Sequence, residues 1–326
     1  MYSMRVRKPF GRAGFGKRFV AAFAAVATIA GVGVVAGTGT AAAFGTGTGF
    51  SQWSVNGCGM PDVKVRSWSR PGNYKTVVLL DGLRATTDIS GWEHETNVQN
   101  MVDRGVNVVM PVGGTASFYS DWDAPNNFNG QPYAYRWNCV ISRSLIAGMD
   151  ARGLRGPSGK YAIAGLSMGG NAALVIGANN KQNFSHTFSM SGYLNLSAPG
   201  MKSAIRVALL DADGGPWNAD SMWGAPWSTR WYDNDPFVQI NKMHGLKVRV
   251  ASGNGGLGGY NAGQGPVEIV QGVPLEWLSL AQTRAFEVQA LVNGVAITTD
   301  YPPSGTHMWG YWQDMMWRAL NQGWFR

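Results

Sequence analysis

The hexapeptide GLSMGG at positions 165–170 is the feature that most constrains how this chain can fold. It follows the apolar run 161–164 and precedes a run typical of a helix at 171–178. A serine between glycines at this spacing marks a sharp strand-to-helix turn that exposes the serine hydroxyl. The glycines permit backbone angles that a β-carbon would forbid, and they leave room for a substrate beside the hydroxyl. The motif therefore predicts a nucleophilic Ser167 at the end of a central strand.

The first 43 residues have the composition of an export signal. They contain six Lys or Arg and no acidic residue, then an apolar run at about 19–35 and alanines at 41–43. This order predicts a secretory signal peptide that is cleaved near Ala43. A permanent membrane anchor is the less favoured alternative, because the apolar run is short and rich in Gly and Ala. Residues 44–326 are then predicted to form a single domain.

Removal of this leader changes what the net charge implies. The full chain has 27 basic and 19 acidic residues and a formal charge of +8. Six basic residues leave with the leader, so the mature chain has 21 basic residues against 19 acidic ones, a charge of only +2. No Lys- or Arg-rich tract and no RNA-binding motif follows, so the sequence excludes a nucleic-acid-binding function.

Two cysteines, Cys58 and Cys139, are too far apart in the sequence for the usual spacing of metal ligands. An even number of cysteines in an exported protein predicts a disulfide. It would join the amino-terminal segment to a helix that starts near Trp137. Two buried free thiols are the alternative. No metal, nucleotide or redox-cofactor motif occurs, so no cofactor is predicted.

Strand-like and helix-like patterns alternate along the chain. Apolar or alternating runs typical of strands lie at 62–68, 75–81, 106–112, 160–165, 184–190, 246–252 and 295–301. Helical periodicity fits 95–104, 138–151, 168–179, 201–210, 276–291 and 309–321. The alternation predicts an α/β protein with a mostly parallel sheet and helices on both faces, and the serine turn makes it an α/β-hydrolase fold. The Trp-rich segment 192–235 predicts an irregular cap, and 253–265 is a Gly-rich loop directly after a strand, where such folds place active-site loops.

A serine hydroxyl acts as a nucleophile only beside a base, which an acidic group orients. In α/β-hydrolases these groups follow in the order serine, acid, histidine. Among the four histidines, His307 lies in a loop between the last predicted strand and the last helix, where the base belongs. His94 precedes the serine, and His186 and His244 lie at the starts of strands, the wrong edge of the sheet. His307 is therefore the predicted base.

The orienting acid is less sharply defined. Four carboxylates follow the strand at 246–252 and precede His307: Glu268, Glu276, Glu287 and Asp300. Glu287 is predicted in mid-helix, and Asp300 lies in or beside the last strand. Glu276 is predicted to open a helix after Pro274, where a loop aims its side chain inward. It therefore has a modest lead over Glu268.

Acyl transfer also needs two N–H donors for the oxyanion that forms when the nucleophile attacks. One is predicted to be the backbone N–H of Met168, directly after the nucleophile, and the other belongs to the loop after an early strand. In that loop, at 80–84, we expect the donor to be the Leu83 N–H. Asp81 and Arg84 flank it as a polar pair at the mouth of the site. A local ion pair that closes the turn is the alternative.

Nine short motifs occur in order over nearly the whole mature chain. They are LLDGLRA (79–85), GW (91–92), VMPVGG (109–114), FYSDW (118–122), GLSMGG (165–170), MWG (222–224), NDP (234–236), GNG (253–255) and GTHMWGYW (305–312). Together they resemble the mycolyltransferases of the antigen 85 type, which actinobacteria with mycolic-acid envelopes secrete. The resemblance implies transfer of a mycolyl group between trehalose monoesters, giving the dimycolate, or onto arabinogalactan.

The resemblance also implies residue roles by position. The catalytic set is Ser167 as nucleophile, Glu276 as acid and His307 as base, with Leu83 and Met168 as oxyanion donors. The set that lines the sugar site is Asp81, Arg84, Asn195 and Trp309. This chain departs from the family pattern at Asn126 to Gln131, Ser252, Glu95 and the long loop 253–265. We expect those departures to affect acceptor choice and acyl-chain length.

Three function classes are compatible with these residues. The acyltransferase comes first, a secreted carboxylesterase or lipase with the same triad is second, and a noncatalytic envelope-binding or adhesion protein is third. The predicted partners are trehalose mono- and diesters of mycolic acids and the envelope lipid; the sequence predicts no oligomeric state. A buried acyl chain needs a long apolar groove. Segments 190–210 and 217–231 are its predicted walls, with ordinary core packing as the alternative.

Overall fold

One eight-stranded sheet organises residues 47–326, the part of the chain that the computed structural model describes. In chain order the strands are β1 (Phe50–Val55), β2 (Val63–Trp68), β3 (Lys75–Leu80), β4 (Val106–Pro111), β5 (Tyr161–Leu166), β6 (Phe184–Met190), β7 (Lys247–Ala251) and β8 (Ile297–Asp300). Across the sheet their order is β1-β2-β4-β3-β5-β6-β7-β8. Strand β2 is antiparallel to β1 and β4, and all other neighbours are parallel. This confirms the predicted α/β-hydrolase class.

The strand order places the candidate site. Strand β3 lies between β4 and β5, so the chain leaves β3 toward one edge of the sheet and later returns to build the other half. In open α/β sheets, ligands bind outside the carboxyl ends of the strands at such a reversal. The loop after β3 and the turn after β5 therefore meet there. These are the segments that carry Leu83 and Ser167.

The seven predicted strands are confirmed, and β1 is an eighth strand that the sequence pattern did not predict. Its six residues are FSQWSV, and only Trp53 and Val55 are buried. Strand β1 is at the edge of the sheet, so its other side chains remain in or near solvent and the run has a polar composition. Pairing with β2, whose residues are mostly buried, explains why the segment is a strand.

The helices follow the predictions in most places. In chain order they are α1 (Gly91–Glu95), α2 (Trp137–Cys139), α3 (Leu145–Asp150), α4 (Met168–Asn179), α5 (Met201–Asp211), α6 (Ala219–Trp223), α7 (Arg230–Asp233), α8 (Pro266–Val292) and α9 (Trp309–Asn321). A π-helical turn at Val140–Ser144 joins α2 to α3. Short 3-10 turns lie at Val98–Arg104, Ile240–Met243 and Gly259–Asn261.

Two helix predictions were wrong in their bounds. The run 95–104 is the end of α1 and a 3-10 turn, because Thr96 is extended and separates them. Helix α8 begins ten residues before Glu276, with Pro266 in its first turn and Pro274 inside it. Proline favours the first turn of a helix, which is why the sequence predicts a helix start at Pro274. Glu276 therefore projects from the middle of a long helix rather than from its beginning.

Alternate residues of the central strands enter two separate cores, one on each face of the sheet. In β3, Val78 and Leu80 pack with the helices that follow β4 and β5, whereas Val77 and Leu79 pack with α9 and the segment after β3. This two-residue period is that of a strand buried on both sides. The sheet is thus covered by helices on both faces.

Cys58 and Cys139 form the predicted disulfide, with Cα atoms 6.2 Å apart. The bond joins the segment between β1 and β2 to α2. The predicted signal peptide, residues 1–43, lies outside the described residues. Within residues 47–326, none of the helices combines the length and the apolar composition that crossing a membrane requires.

Candidate active site

Ser167 lies on a strained turn between β5 and α4. Its backbone angles, φ 51° and ψ −120°, are in a region that residues with a side chain rarely adopt. The turn is so tight that a β-carbon at Gly165 would lie 2.2 Å from the Gly169 carbonyl oxygen. The Ser167 N–H donates to the Met190 carbonyl oxygen at 2.8 Å, which fixes the turn against β6. Strain of this kind is characteristic of functional sites and agrees with the predicted nucleophile.

Glu276 and His307 are in direct contact, although 31 positions separate them in the sequence. The Oε2 atom of Glu276 lies 2.9 Å from Nδ1 of His307. The carboxylate is fully buried, and the imidazole is 8% exposed. The His307 N–H donates to the Gly272 carbonyl oxygen at 3.2 Å, so the histidine loop is attached to α8 one turn before Glu276. The structure therefore brings together the acid and base that the sequence predicted.

The second oxygen of Glu276 is held by three donors. Its Oε1 accepts hydrogen bonds from Ser191 Oγ at 2.7 Å, Ser252 Oγ at 3.1 Å and the Gly253 N–H at 2.5 Å. A buried carboxylate without such donors would pay a large desolvation cost. With them, Glu276 has a fixed orientation and keeps Oε2 directed at the imidazole.

Two aromatic side chains enclose the His307 ring. Trp312 of α9 meets it edge-on, with ring centroids 4.9 Å apart and an interplanar angle of 88°. Tyr193, in the segment after β6, lies nearly parallel to it at 6.3 Å and 17°. The Trp312 Nε1–H donates to Ser191 Oγ at 2.9 Å, so the hydroxyl that holds Glu276 is itself held by α9.

In the described part of the chain, no hydrogen bond or ion pair joins the other candidate acids to His307. Glu268 is exposed in the first turn of α8. Glu287 pairs with Arg284 at 3.0 Å and accepts a hydrogen bond from the Tyr301 hydroxyl at 2.8 Å. Asp300 forms ion pairs with two arginines, Arg249 and Arg318. Glu276 is thus the carboxylate that meets the histidine.

The other histidines also lie elsewhere. His94 is exposed beside Glu95, and His244 is exposed before β7. His186 is buried near the start of β6, at the amino edge of the sheet. Burial, with the charges of Lys75 and Lys247, lowers the pKa of His186 to about 4. Its ring is neutral at physiological pH.

The two predicted oxyanion donors belong to segments that converge on Ser167. A β-carbon on Gly82, the residue before Leu83, would lie 3.7 Å from the Ser167 β-carbon. Met168 is the first residue of α4, so its N–H has no intrahelical acceptor and lies at the positive end of the helix dipole. The Leu83 carbonyl accepts a hydrogen bond from the Ala116 N–H at 3.0 Å, which fixes that peptide segment.

Asp81 is a buried carboxylate at the end of β3. It accepts hydrogen bonds from Ser90 Oγ at 2.9 Å and, at the start of α1, from the Gly91 N–H at 3.3 Å and the Trp92 N–H at 3.4 Å. Burial raises its pKa to about 6, although these three donors favour the charged form. An acidic group that titrates so close to neutrality is typical of a functional site.

Arg84 does not form the local ion pair that was one interpretation of its position. It binds instead two carboxylates at the end of α5, Asp211 at 3.0 Å and Asp213 at 2.8 Å. All three side chains are more than 40% exposed, so the pairs contribute little to stability. They link the loop that carries Leu83 to the cap.

The last two predicted sugar-site residues also lie in the segments that surround the triad. The Asn195 N–H donates to Gln282 Oε1 of α8 at 2.8 Å. Trp309 begins α9 and packs edge-on against Trp92 at 5.5 Å and Trp312 at 5.4 Å. A β-carbon on Gly91 would lie 2.4 Å from the Trp309 ring, so this glycine lets α1 approach the indole.

Most of the predicted walls of an acyl groove belong to the core. Trp217, Trp223 and Trp231 are at most 5% exposed; Trp217 packs edge-on against Trp122, and Trp223 packs edge-on against Trp231. The alternative interpretation, ordinary core packing, is therefore correct for these three. Trp227, which is 83% exposed, is the exception.

Sequence reasoning missed two residues of the site, Ser191 and Tyr193, and gave Trp312 no role. Both missed residues follow β6, whose carboxyl end lies beside that of β5. Polar residues directly after neighbouring parallel strands meet at one edge, and this was the signal that could have found them. Among residues 47–326, no group of three or more His, Cys, Asp or Glu side chains is arranged to hold a metal ion.

Known proteins share both the sequence and the fold. The esterase family model matches residues 60–322. Ag85C of Mycobacterium leprae, named a diacylglycerol acyltransferase/mycolyltransferase, is 35% identical over 261 residues, which cover 78% of this chain and 75% of that protein. Ag85B of Mycolicibacterium smegmatis, with the same enzyme name, is 36% identical over 260 residues and covers 77% of each chain.

Solved structures agree with this relationship. The crystal structure of Mycobacterium tuberculosis MPT51 (FbpC1) has a TM-score of 0.70 at 26% identity and covers 85% of this chain and 99% of that one. The Staphylococcus aureus serine hydrolase FphF has a TM-score of 0.59 at 16% identity over 85% of this chain and 98% of its own, a likeness of fold alone. The resemblance in the motifs is thus confirmed, and the chain belongs to the esterase family and to its antigen 85 group of diacylglycerol acyltransferases/mycolyltransferases.

Proposed function

We propose that this protein transfers a mycolyl or similar long-chain acyl group between trehalose esters through an acyl-Ser167 intermediate. The observation that carries the proposal is the 2.9 Å contact between Glu276 and His307 at the sheet edge where the strained Ser167 turn lies. An imidazole oriented by a buried carboxylate is the base that a serine nucleophile needs. The enzyme name shared by the Ag85 relatives supports the same acyl chemistry.

In the first step, His307 takes the proton of the Ser167 hydroxyl as Oγ attacks the ester carbonyl carbon of the donor. The carbonyl oxygen becomes negatively charged and accepts hydrogen bonds from the Leu83 and Met168 N–H groups. When the intermediate collapses, the bond to the sugar oxygen breaks and His307 gives its proton to that oxygen. Glu276 stabilises the imidazolium that exists between these events.

In the second step, a hydroxyl of the acceptor gives its proton to His307 and attacks the acyl-serine carbonyl. The Ser167 ester bond breaks, and Oγ recovers its proton from His307. Water competes with the acceptor, so transfer requires an acceptor held in position. Well-oriented groups reach effective molarities of about 10⁵–10⁸ M, which is enough to outrun bulk water.

The acceptor is held, in this proposal, by Asp81, Arg84, Asn195 and Trp309. Asp81 offers a buried carboxylate directly after β3, and Trp309 offers an indole at the start of α9. Arg84 is already bound to Asp211 and Asp213, so these carboxylates add further hydroxyl-binding groups at the mouth of the site. Trehalose monoesters are the proposed first acceptors and arabinogalactan the second.

The proposed location is the cell envelope, after export and cleavage near Ala43. The basic and then apolar leader supports export. Residues 44–326 would then act as one domain, and mycolate lipids in the envelope would supply the donor. Sequencing of the amino terminus of the protein recovered from the culture medium tests the cleavage position directly.

The decisive experiment incubates the purified mature protein with a trehalose monoacyl ester, with and without added trehalose. Formation of diacyl trehalose supports transfer, and free fatty acid without trehalose dependence supports the esterase alternative. Loss of all product in both arms would support the noncatalytic class. Ser167→Ala should lower kcat by about 10⁶-fold. Ser203→Ala, at an exposed position on α5, is the matched control and should leave kcat unchanged.

A further inference from the structure

Trp312, in the first turn of α9, is linked to both members of the acid–base pair. Its ring meets the His307 ring edge-on, with centroids 4.9 Å apart and an interplanar angle of 88°. Its Nε1–H donates to Ser191 Oγ at 2.9 Å, and Ser191 Oγ in turn donates to Glu276 Oε1 at 2.7 Å. One indole thus reaches the base directly and the acid through a single hydroxyl, although no step of the proposed reaction uses it.

The direction of each hydrogen bond in this relay follows from the chemistry of its two ends. An indole N–H can donate but not accept, and an ionised carboxylate can accept but not donate. Ser191 Oγ lies between the two, so it accepts from Trp312 and directs its own proton to Glu276. A hydroxyl that accepts a hydrogen bond becomes a stronger donor, because chains of hydrogen bonds polarise one another. Trp312 therefore strengthens the bond by which Ser191 holds the carboxylate.

The Trp312 side chain is itself held in the core of the protein. It is 4% exposed and packs edge-on against Trp309, with ring centroids 5.4 Å apart. Met315 and Met316, on the next turn of α9, are buried in the same core. A close-packed interior leaves so large a ring little freedom. The edge that meets the histidine and the N–H that meets the serine therefore keep their directions.

The same type of hydrogen bond occurs at another buried tryptophan, where its consequence differs. Trp53 of β1 donates its Nε1–H to Ser67 Oγ at 3.1 Å. Ser67 Oγ donates onward to a neutral group, the Ser51 carbonyl oxygen, at 3.3 Å. In the relay that begins at Trp312, the final acceptor is instead the buried carboxylate of Glu276, whose other oxygen contacts the base. Trp53 therefore provides the same local chemistry without the catalytic pair.

We propose that Trp312 is a positioning residue for the acid–base pair. It orients the His307 ring by its edge-on contact, and it orients Glu276 through Ser191. The proposal rests on the proposed function, because it takes this pair as the acid and base that serve Ser167. Trp312 touches no reacting atom and exchanges no proton. It keeps the carboxylate directed at Nδ1 of the imidazole, so that the opposite ring nitrogen faces the nucleophile and can take its proton.

The test is a double-mutant cycle that combines Trp312→Phe with Ser191→Ala. Trp312→Phe removes the N–H and keeps an aromatic ring beside the base. Loss of one such hydrogen bond should lower kcat for acyl release from a p-nitrophenyl ester by about 3–10-fold, with KM within about twofold. The rate of Ser167 labelling by a fluorophosphonate should fall by a similar factor, because that reaction uses the same base and no acceptor.

The second arm of the cycle separates positioning from a general loss of stability. In a Ser191→Ala background, Trp312→Phe should change kcat by less than about twofold, because the hydroxyl through which the N–H acts is already absent. Trp312→Leu, which also removes the ring beside the base, should lose more activity than Trp312→Phe. If Trp312→Phe does not fold, benzothienylalanine at position 312 replaces the N–H by sulfur with nearly the same shape, and the same losses are expected.

Trp53→Phe is the matched control, since it deletes an indole N–H from a buried tryptophan–serine pair in β1. It should leave kcat, KM and the labelling rate unchanged. A Trp312→Phe enzyme with kcat and labelling rate within twofold of the original overturns the proposal. Losses that multiply in the double variant overturn it as well, because Trp312 would then act independently of Ser191. Neither result bears on the proposed function, which fails only if Ser167→Ala retains activity.

Discussion

The parallel strands begin at the amino edge of the sheet and end at its carboxyl edge, and each of these edges buries a histidine against a tryptophan. The comparison shows what makes one of the two histidines suitable as a base. At the carboxyl edge, His307 meets Trp312 edge-on at 4.9 Å. At the amino edge, His186 meets Trp324 edge-on at 5.1 Å. In each case the Nδ1 atom has an oxygen partner within hydrogen-bonding distance. Packing alone therefore does not distinguish the two rings.

The charges around the two rings differ in sign. The partner of His307 is the carboxylate of Glu276, which favours an imidazolium. The partner of His186 is the hydroxyl of Ser185, at 2.7 Å, and the neighbouring charges of Lys75 and Lys247 oppose protonation. A catalytic base must accept a proton during the reaction and release it again. Of these two rings, the one at the carboxyl edge has the neighbouring charge that makes this possible.

The largest expected effect is that of Glu276→Gln, which removes this charge and keeps the size of the side chain. The imidazolium would lose its counter-charge and the ring its preferred tautomer, so kcat/KM should fall by about 10³–10⁴-fold. Acyl release from a p-nitrophenyl ester at pH 7 measures it. His186→Gln, at the amino edge, should leave the rate within twofold. Similar losses in both variants would contradict the distinction between the edges.

The parts of the site at the carboxyl edge differ in how far the sequence predicts them. The Ser167 turn is local, since strand, glycines and helix are consecutive, and both motif and position are predictable. The contact of Glu276 with His307 depends on where a long helix crosses the histidine loop. Sequence order singles out the histidine but leaves Glu276 barely ahead of Glu268. Pro274 misleads here, because a proline inside a helix is uncommon and a helix start is the more usual place for it.

Distant partners account for the remaining misses. The ion pairs of Arg84 join residues 127 and 129 positions apart, a separation that no local pattern encodes. The tryptophans of segment 217–231, among them Trp217 and Trp231, are typical of a groove wall, but aromatic side chains fill cores equally well. Burial decides between these interpretations, and burial depends on the packed cap.

The second prediction concerns Asp81 at the carboxyl edge. Its pKa is about 6 in the folded protein and 3.8 in the unfolded chain, so between these values the folded state binds more protons. Its contribution to the free energy of unfolding is therefore lost as pH rises, by about 2 kcal/mol between pH 4 and 7. Urea unfolding should show that Asp81→Asn lacks this decrease. If the free energy of unfolding changed with pH in the same way for both proteins, the raised pKa of Asp81 would be contradicted.

The third prediction is the opposite slope at the amino edge. The pKa of His186 is about 4 in the folded protein and 6.5 in the unfolded chain, so between these values the unfolded chain binds more protons. Stability is therefore lost as pH falls, by about 3 kcal/mol between pH 7 and 4. Relative to the original protein, His186→Gln should gain that amount over the same interval. A constant difference between the two proteins would show that folding does not lower the pKa of His186.

The smallest expected effect concerns one serine hydroxyl at each edge. Ser191 contacts Glu276 at the carboxyl edge, and Ser185 contacts His186 at the amino edge. Ser191→Ala removes the 2.7 Å hydrogen bond to Glu276 Oε1, whereas Ser252 and the Gly253 N–H keep theirs. A hydrogen bond to a charged group contributes about 1.5–3 kcal/mol, and the remaining donors compensate in part, so kcat should fall by about 10-fold. Ser185→Ala at the amino edge loses a hydroxyl that contacts neutral His186 and should keep full kcat.

Because both variants delete one hydroxyl from a packed site, equal thermal stability with unequal kcat isolates the role of charge. Equal rates for the two would mean that the orientation of Glu276 does not depend on Ser191, and that the contrast between the edges is confined to the carboxylate itself.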